Sequence, residues 1–461
     1  MTRGNEYKNS IAGKSILVVG LGKSGKAAAR ALNNAGATVS VQDSSTADKL
    51  DTQFLQYMKN ENMEAFLGKE PEDVGSYDML VLSPGVPTDL GFIKEAGQKG
   101  VEIIGEIELA YMLSEGNFIA ITGTNGKTTT TSLVGNILEA FGRKTAVVGN
   151  IGNPVVSEAD DAGPDTWLVT EVSSFQLETI DKFRPHVAAI LNLTPDHLNR
   201  HKTMEAYTAA KARITENQTE EDYFIYNGDD ELVSGIAENT RAVKIPFYKN
   251  TEPEMGAYVD DTSIIVKNEK GEKVFICHTD DLMVIGEHNI ENVLAASAIA
   301  YYSGVDANTI SLAVRNFAGV EHRIELCGRV DGVEYYNDSK GTNTDAAIIA
   351  LKALEDGIVL IAGGDGKNQN FDELASMFTG RVKALILLGR DANIIEDAAR
   401  RHGFTNIYNC KDMPDCVRKA AELSEEGDKV LLSPACASWD MYDNFEQRGR
   451  HFKNCVKELL R

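Results

Sequence analysis

The stretch Ile119-Ala120-Ile121-Thr122-Gly123-Thr124-Asn125-Gly126-Lys127-Thr128-Thr129-Thr130 constrains this chain more than any other. Its apolar run reads as a strand, its glycine-bounded segment as a tight turn and its Lys-Thr as a helix opening; such a unit belongs in a parallel α/β sheet. The chemistry follows from the same residues. Backbone N–H groups at the helix N-terminus point beyond the strand, Lys127 adds a point charge, and the Thr128 hydroxyl is an oxygen ligand for Mg²⁺, so the segment reads as a cradle for a nucleoside triphosphate. The spacing departs from the general pattern G-x-x-x-x-G-K-[ST], because Ile121 stands where the first glycine belongs and Gly123 lies closer to Gly126. The shortened loop marks a narrower family.

With 461 residues the chain exceeds what one core supports, and two or three domains of roughly 100–200 residues are expected. Lys and Arg number 46 against 69 Asp and Glu, a net charge of −23, which argues against a nucleic-acid or anionic-membrane partner and makes any phosphate site local. The six cysteines are scattered without a C-x-x-C pair, a pattern of reduced thiols rather than of a disulfide frame or zinc site. Residues 1–10 are polar, without the apolar region of a signal peptide, and no apolar run approaches the ~18 residues of a membrane span. A cytoplasmic protein is expected.

Three α/β blocks follow one another. In the first, residues 1–108, apolar runs at 16–19, 39–41, 79–82 and 101–104 alternate with helical patterns such as 27–35, as in a small Rossmann-like parallel sheet. The second, 109–320, is a P-loop-type ATPase sheet with strands ending at Ile121, Val148, Thr170 and Leu191. Between 223 and 285 its pattern changes, and 258–267 and 273–278, joined by Asn268-Glu269-Lys270-Gly271, read as a hairpin, an antiparallel addition to that sheet. A helical pattern at 289–302 leads to a turn near Gly319. The third block, 321–461, has strands at 333–336, 358–362, 384–388 and 430–432 with helices between them, a second Rossmann-like α/β unit.

The first block carries its own phosphate-type loop. Gly20-Leu21-Gly22-Lys23-Ser24-Gly25 follows a strand and opens a helix, and Asp43 ends the next strand. Alone, this pattern means either dinucleotide binding or glycines that merely allow tight strand-to-helix packing. Beside the ATP-type loop it fits a second phosphorylated molecule, whose pyrophosphate would sit at 22–25. Ser83-Pro84-Gly85-Val86-Pro87 ends a strand on the same side and reads equally as a rigid turn.

Ligands of open parallel sheets bind beyond the carboxyl ends of the strands. In the central block those ends carry Gly149-Asn150-Ile151-Gly152, Glu171-Val172-Ser173-Ser174-Phe175-Gln176 and Asp196-His197. Glu171 and the Thr128 hydroxyl suit Mg²⁺, with His197 near a second ion. Each has a plain structural alternative, a helix cap for Glu171 and a hydrogen-bonded histidine for His197. Lys211, among small residues on a helix, reads by itself as a surface lysine with a snorkelling stem.

Taken in order, Thr122-Gly123-Thr124-Asn125-Gly126-Lys127-Thr128, Glu171-Val172-Ser173-Ser174-Phe175-Gln176-Leu177, Asp196-His197, Ala210-Lys211, His288-Asn289-x-x-Asn292 and His322-Arg323 resemble the signatures of the ATP-dependent Mur ligases along essentially the whole chain. Asn337-Asp338-Ser339-Lys340-Gly341-Thr342-Asn343, Gly363-Gly364-Asp365-Gly366-Lys367 and Ser433-Pro434-Ala435-Cys436-Ala437-Ser438-Trp439-Asp440 are similar to the members that add D-glutamate. Asn199 stands where an aspartate commonly follows the Asp-His pair.

The resemblance implies a reaction. ATP would phosphorylate the carboxylate of UDP-N-acetylmuramoyl-L-alanine, and the amine of D-glutamate would displace phosphate from the acyl phosphate, in peptidoglycan precursor synthesis. It implies two Mg²⁺ ions held by Thr128, Glu171, His197 and a carbamylated Lys211, with Lys127 on the phosphates. ATP would lie on Gly123, Thr124, Asn125, Gly126, Lys127, Thr128 and Thr129, with Asn289, Asn292, Arg323 and Asp338. The UDP-substrate would lie on Gly22, Lys23, Ser24, Asp43, Ser44, Gly85 and Asn150, and D-glutamate on Lys340, Thr342, Lys367, Ser438 and Phe445. A monomer acting on small molecules is expected.

The rival readings are separable. A folylpolyglutamate-type ligase would not begin with a Rossmann-like unit ahead of the ATP loop. A nicotinamide-dependent oxidoreductase would need only the loop at 20–25, and a non-catalytic ATP switch would survive loss of the Glu171 charge.

Overall fold

The structure is a computed structural model that describes residues 2–459, the side chain of Asn199 excepted. It contains three sheets. In the first, β1 (Ser15–Val19), β2 (Thr38–Asp43), β3 (Glu64–Leu67), β4 (Met79–Leu82) and β5 (Glu102–Gly105) are all parallel, in the order β3-β2-β1-β4-β5. The order reverses at β1, which opens a crevice beyond the carboxyl ends of β1 and β4. The strands are apolar on both faces, because helices cover both sides of a parallel sheet; Ile16 to Val19 and Met79 to Leu82 are all buried.

The second sheet has nine strands. β6 (Asn117–Thr122), β7 (Lys144–Gly149), β8 (Thr166–Glu171), β9 (Val187–Ile190), β10 (Tyr223–Asn227), β11 (Val243–Tyr248) and β12 (Gly256–Asp260) are joined by parallel ladders, and β13 (Ser263–Lys267) and β14 (Lys273–His278) extend the sheet antiparallel, in the order β14-β13-β12-β11-β10-β9-β6-β8-β7. The strand expected over 258–267 is in fact two. The chain reverses between Asp260 and Ser263, with Asp261 in the left-handed region at φ 57. Short polar side chains tolerate that region, so Asp-Asp-Thr makes a turn without the glycine that would have announced it.

In the third sheet, β15 (Glu325–Val330), β16 (Val333–Asn337), β17 (Ile358–Ala362), β18 (Val382–Leu387), β19 (Ile407–Asn409) and β20 (Lys429–Leu432) follow the order β15-β16-β20-β17-β18-β19, antiparallel only at β15. One face packs on the helix Thr344–Leu354, and the other on Met413–Leu423 and Phe445–Leu459. The edge strands β3, β15 and β19 had no sequence signal, because half-exposed edges carry no continuous apolar run.

The chain forms two compact units. One runs up to Asp281 and includes Glu291–Asn316; the other comprises Leu282–Ile290 and the chain from Phe317 onward. The first unit holds two sheets, locked together by the helix Glu106–Leu113. Glu108 accepts backbone N–H bonds from Asp181, Lys182 and Phe183, each at 2.9 Å, and Glu106 accepts one from Val156 at 2.7 Å. Both carboxylates are buried, so each bond replaces a lost contact with water. No described helix is long and apolar enough to cross a membrane.

Candidate active site

β6 delivers the chain to Gly123, and the helix Lys127–Ala140 begins directly after Gly126. Gly126 is left-handed at φ 84, and a Cβ there would lie 2.2 Å from Asn292 Oδ1, so only glycine fits. Asn292, on the helix Glu287–Tyr302, also accepts from the Thr130 hydroxyl at 3.3 Å. The loop is braced from beyond β9: the Asn125 N–H donates to Asn192 Oδ1 at 2.8 Å, the Asn192 amide returns a bond to the Asn125 carbonyl at 3.1 Å, and Thr124 N–H reaches the Asn192 carbonyl at 3.0 Å. Thr124, Thr128 and Thr129 are buried.

Lys127 and Lys211 converge on this loop. Lys127 Nζ donates to the carbonyls of Gly123 at 2.8 Å and Thr124 at 2.9 Å. Lys211 Nζ donates to Gly123 O at 2.9 Å and to Thr122 Oγ1 at 3.0 Å. The surface lysine that Lys211 resembled in isolation is instead almost fully buried. Burial, and then the neighbouring Lys127 charge, hold its amine well below the usual lysine range, against the opposing pull of Asp196 and Glu171. Glu171, at the end of β8, lies beside Ile121 in the β6–β8 ladder. Its Oε1 accepts from the Asn150 amide at 3.0 Å, while its buried Oε2 has no hydrogen-bond partner.

His197 is left-handed at φ 53, with Nε2 3.5 Å from Asp196 Oδ2 and its ring edge-on to Phe175. The buried histidine of this region is His201, which bonds the Ser174 hydroxyl at 2.9 Å and stacks on the other side chain of the pair, Phe175, at 5.4 Å.

The same unit contains a cavity of about 720 Å³ at the crevice of the first sheet. Gly22, Lys23, Ser24, Asp43, Ser44, Gly85 and Asn150 all line it, together with Gln176. The helix Lys23–Asn34 points its N-terminus there through Gly22. Gly25 permits the approach of that helix to the strand, since a Cβ would lie 1.8 Å from the Gly20 carbonyl. Asp43 accepts from Leu21 N–H at 2.6 Å and Ser45 N–H at 2.7 Å, so this carboxylate braces the loop.

The other unit gathers its residues at the carboxyl ends of β16, β17 and β20. Asp338 is fully buried, accepts from the Ser433 hydroxyl at 2.8 Å and lies 3.7 Å from Arg323; burial pushes its carboxyl up to about 6. Lys340 Nζ lies 5.5 Å from the Phe445 ring centre, and Lys367 Nζ 4.6 Å from that of Trp439. Ser438 is buried, and its carbonyl accepts from the N–H groups of Met441 and Tyr442. The Thr342 carbonyl accepts from the Gln369 amide at 3.5 Å. Asn289 also belongs to this unit, donating to the Ile285 carbonyl at 2.6 Å.

Comparison with known proteins decides the family. The Mur ligase MurD-like N-terminal domain matches residues 14–105, the Mur ligase middle domain 121–300, and the Mur ligase glutamate ligase domain 322–436. The UDP-N-acetylmuramoylalanine--D-glutamate ligase of Caldanaerobacter subterraneus subsp. tengcongensis is 47% identical over 451 residues, 97% of this chain and 99% of that protein. The ligase of the same name from Clostridioides difficile is 48% identical over 448 residues, again 97% and 99%. The chain belongs to the Mur ligase family. Solved structures agree in fold: UDP-N-acetylmuramate-alanine ligase MurC from Thermotoga maritima has a TM-score of 0.59 at 20% identity, covering 96% of this chain and 99% of its own. MurF from Acinetobacter baumannii has a TM-score of 0.58 at 16% identity, covering 98% and 92%.

Several residues that shape this Mur ligase gave no signal in the sequence. Arg448 is buried and donates to Ser339 Oγ at 3.0 Å, the Ser339 carbonyl at 2.8 Å and the Cys436 carbonyl at 3.1 Å; burial lowers its pKa to about 10. Gln369 ties Thr342 and Thr344 to the Gly366 carbonyl. Asn192 and Tyr207, whose hydroxyl lies 3.1 Å from Thr124 Oγ1, do the same for the ATP-type loop. An Arg in a helix or an Asn after a strand is ordinary in sequence, and only long-range partners set these apart.

Proposed function

We propose that the chain adds D-glutamate to UDP-N-acetylmuramoyl-L-alanine with cleavage of ATP to ADP and phosphate. The observation that carries this reading at the chemical centre is the convergence of Lys127 and Lys211 on one loop, with Glu171 at the end of the neighbouring strand, beside a nucleotide-sized cavity that reaches Asn150, the residue bonded to Glu171. The division of labour is the three-block one: 1–108 for the UDP-substrate, 109–320 for ATP and 321–461 for D-glutamate. A substrate carboxylate oxygen attacks the γ-phosphorus as the bond to ADP breaks, giving an acyl phosphate. The D-glutamate amine then attacks the acyl carbon, phosphate leaves, and the nitrogen gives up a proton.

Phosphoryl transfer between anions needs charge neutralisation and alignment more than covalent help. Lys127 and the N–H groups of the loop supply this for the phosphates. Mg²⁺ fits the donor set, because Glu171, paired with Ile121 where β6 runs into the loop, presents a buried oxygen without a partner. Thr128 and Glu171 would hold one ion, His197 and Lys211 as its carbamate a second, and bound Mg²⁺ supplies charge neutralisation at the phosphate oxygens. Carbamylation needs a neutral amine, which burial of Lys211 provides. In the other unit Lys340, Thr342, Lys367, Ser438 and Phe445 hold the two carboxylates of D-glutamate, and Asp338 and Arg323 serve the ATP side with Asn289 and Asn292. We place the protein in the cytoplasm as a monomer. The bracing role of Asp43 disfavours a nicotinamide oxidoreductase, in which this acid would serve a ribose.

A coupled assay for ADP release tests the proposal. Turnover is expected only with UDP-N-acetylmuramoyl-L-alanine and D-glutamate together, and equal turnover with L-glutamate or L-alanine would overturn it.

A further inference from the structure

Trp439 is 65% exposed, an unusual state for an indole. The backbone beneath it is held on both sides. The Ser438 carbonyl accepts from Met441 and Tyr442, Asp440 Oδ2 accepts the Arg390 N–H at 2.8 Å, and Asp365 and Ala437 exchange two backbone bonds at 3.0 and 2.9 Å. That exchange stitches the Trp439 loop to the loop carrying Lys367. On the second loop, Lys367 is left-handed at φ 50, its N–H donates to Asp365 Oδ1 at 3.1 Å, and the preceding Gly366 N–H donates to Asp391 Oδ2 at 2.7 Å. Both backbones are thus fixed before any ligand arrives.

The side chains then meet face to cation, with Lys367 Nζ 4.6 Å from the indole centre. Among the described residues Lys367 has no carboxylate within ion-pair distance. The nearest candidate in its own loop, Asp365, is taken by Arg390 at 3.0 Å. An ion pair would neutralise the ammonium and compete with an incoming carboxylate, whereas an aromatic face steadies the cation and leaves its charge available. Lysine is a flexible point charge, and ordering it on binding weakens affinity; a side chain that orders it beforehand recovers that loss.

The geometry points to Trp439 as a positioning residue that holds the Lys367 ammonium ready for a carboxylate of the amino-acid substrate. The inference rests on the reading of Lys367 as part of the D-glutamate site. Trp439 touches Lys367 and need not touch the substrate, so its effect belongs in the KM for the amino acid.

Steady-state kinetics on the full chain, with D-glutamate varied at saturating ATP and UDP-substrate, test this. Trp439→Ala is expected to raise the KM for D-glutamate about fivefold, with kcat and the KM for ATP within about twofold of the parent. Trp439→Phe is expected to restore most of the loss, because its ring keeps the negative face, and Trp439→Leu to restore none. Adding Trp439→Ala to Lys367→Ala is expected to change the KM no further. Full rescue by leucine, or an unchanged KM in Trp439→Ala while Lys367→Ala raises it, overturns the inference. An unchanged KM in Lys367→Ala overturns instead the reading of the site on which it rests. Thermal melts of each variant separate these outcomes from misfolding, and an exposed indole is expected to leave the melting temperature unchanged.

Discussion

Lys127 and Lys211 donate to the same oxygen, the Gly123 carbonyl, at 2.8 and 2.9 Å. Burial, reinforced by the second ammonium at the shared acceptor, drives Lys211 toward its neutral form. Because its folded pKa lies below the unfolded one, this amine costs stability at low pH, and the cost fades as pH rises through the folded value toward the lysine range. Lys211→Met is therefore expected to melt at or above the parent temperature, with the larger gain at pH 6 than at pH 9, while kcat falls at least about 100-fold. Melting curves at both pH values together with the ADP-release assay check this; a less stable variant at pH 6 would contradict it.

Glu171→Gln keeps an oxygen for the Asn150 amide but removes the charge from the buried end that has no partner. The expected outcome is a kcat lower by about 10²–10³ and a higher Mg²⁺ requirement, with folding intact. Metal titrations of initial rate measure it. An unchanged Mg²⁺ dependence would remove Glu171 from the ligand set.

Glu106 provides a pH signature of stability. Burial raises its carboxyl to about 7, partly offset by backbone bonds from Val156 and Val155. A folded pKa above the unfolded value means stability that is complete below the unfolded value near 4.5 and is lost as pH rises through about 7. Glu106→Gln is isosteric and uncharged, so it is expected to stabilise the protein by on the order of 2 kcal/mol at pH 8 and by little at pH 4.5. Urea midpoints at the two pH values decide, and equal gains at both would be inconsistent.

Arg448→Met leaves the carbonyls of Ser339 and Cys436 and the Ser339 hydroxyl without their buried donor. A loss of about 2–4 kcal/mol is expected from the unit that contains it, with a raised KM for D-glutamate, since Ser339 adjoins Lys340. Denaturant unfolding and amino-acid titration of rate measure the two effects, and a neutral substitution would show that these groups find other partners.

The architecture was legible wherever it depends on local chemistry. Glycine spacing, Lys-Thr at a helix start and apolar runs of strand length act within a few residues, and they located the loops at 20–25 and 122–128 and most of the interior strands. A parallel sheet then does the rest, because all its strands end on the same side. That is why Gly22, Asp43 and Gly85, up to 63 positions apart by residue number, line one cavity, which Asn150 joins from the end of β7 in the second sheet. Of the strands that were missed, β3, β15 and β19 lie at edges where one neighbour is absent and no apolar run is needed, while β10 and β11 lie inside the nine-stranded sheet, where Tyr223, Tyr226, Asn227, Lys244 and Pro246 interrupt the apolar run.

What only the tertiary structure decided is everything set by burial and by partners far along the chain. Lys211 reads as a solvated lysine until Thr122 and Gly123 are packed against it, and Glu171 as a helix cap until one oxygen is left alone in the interior. Arg448 and Asn192 are ordinary residues until their acceptors arrive from other segments, and the place of Trp439 beside Lys367, with its indole exposed, is set only by the fold. Backbone conformation is dictated by the residues that carry it, so a sequence declares it. Desolvation and charge coupling depend on what surrounds a side chain, and that environment exists only once the chain has folded.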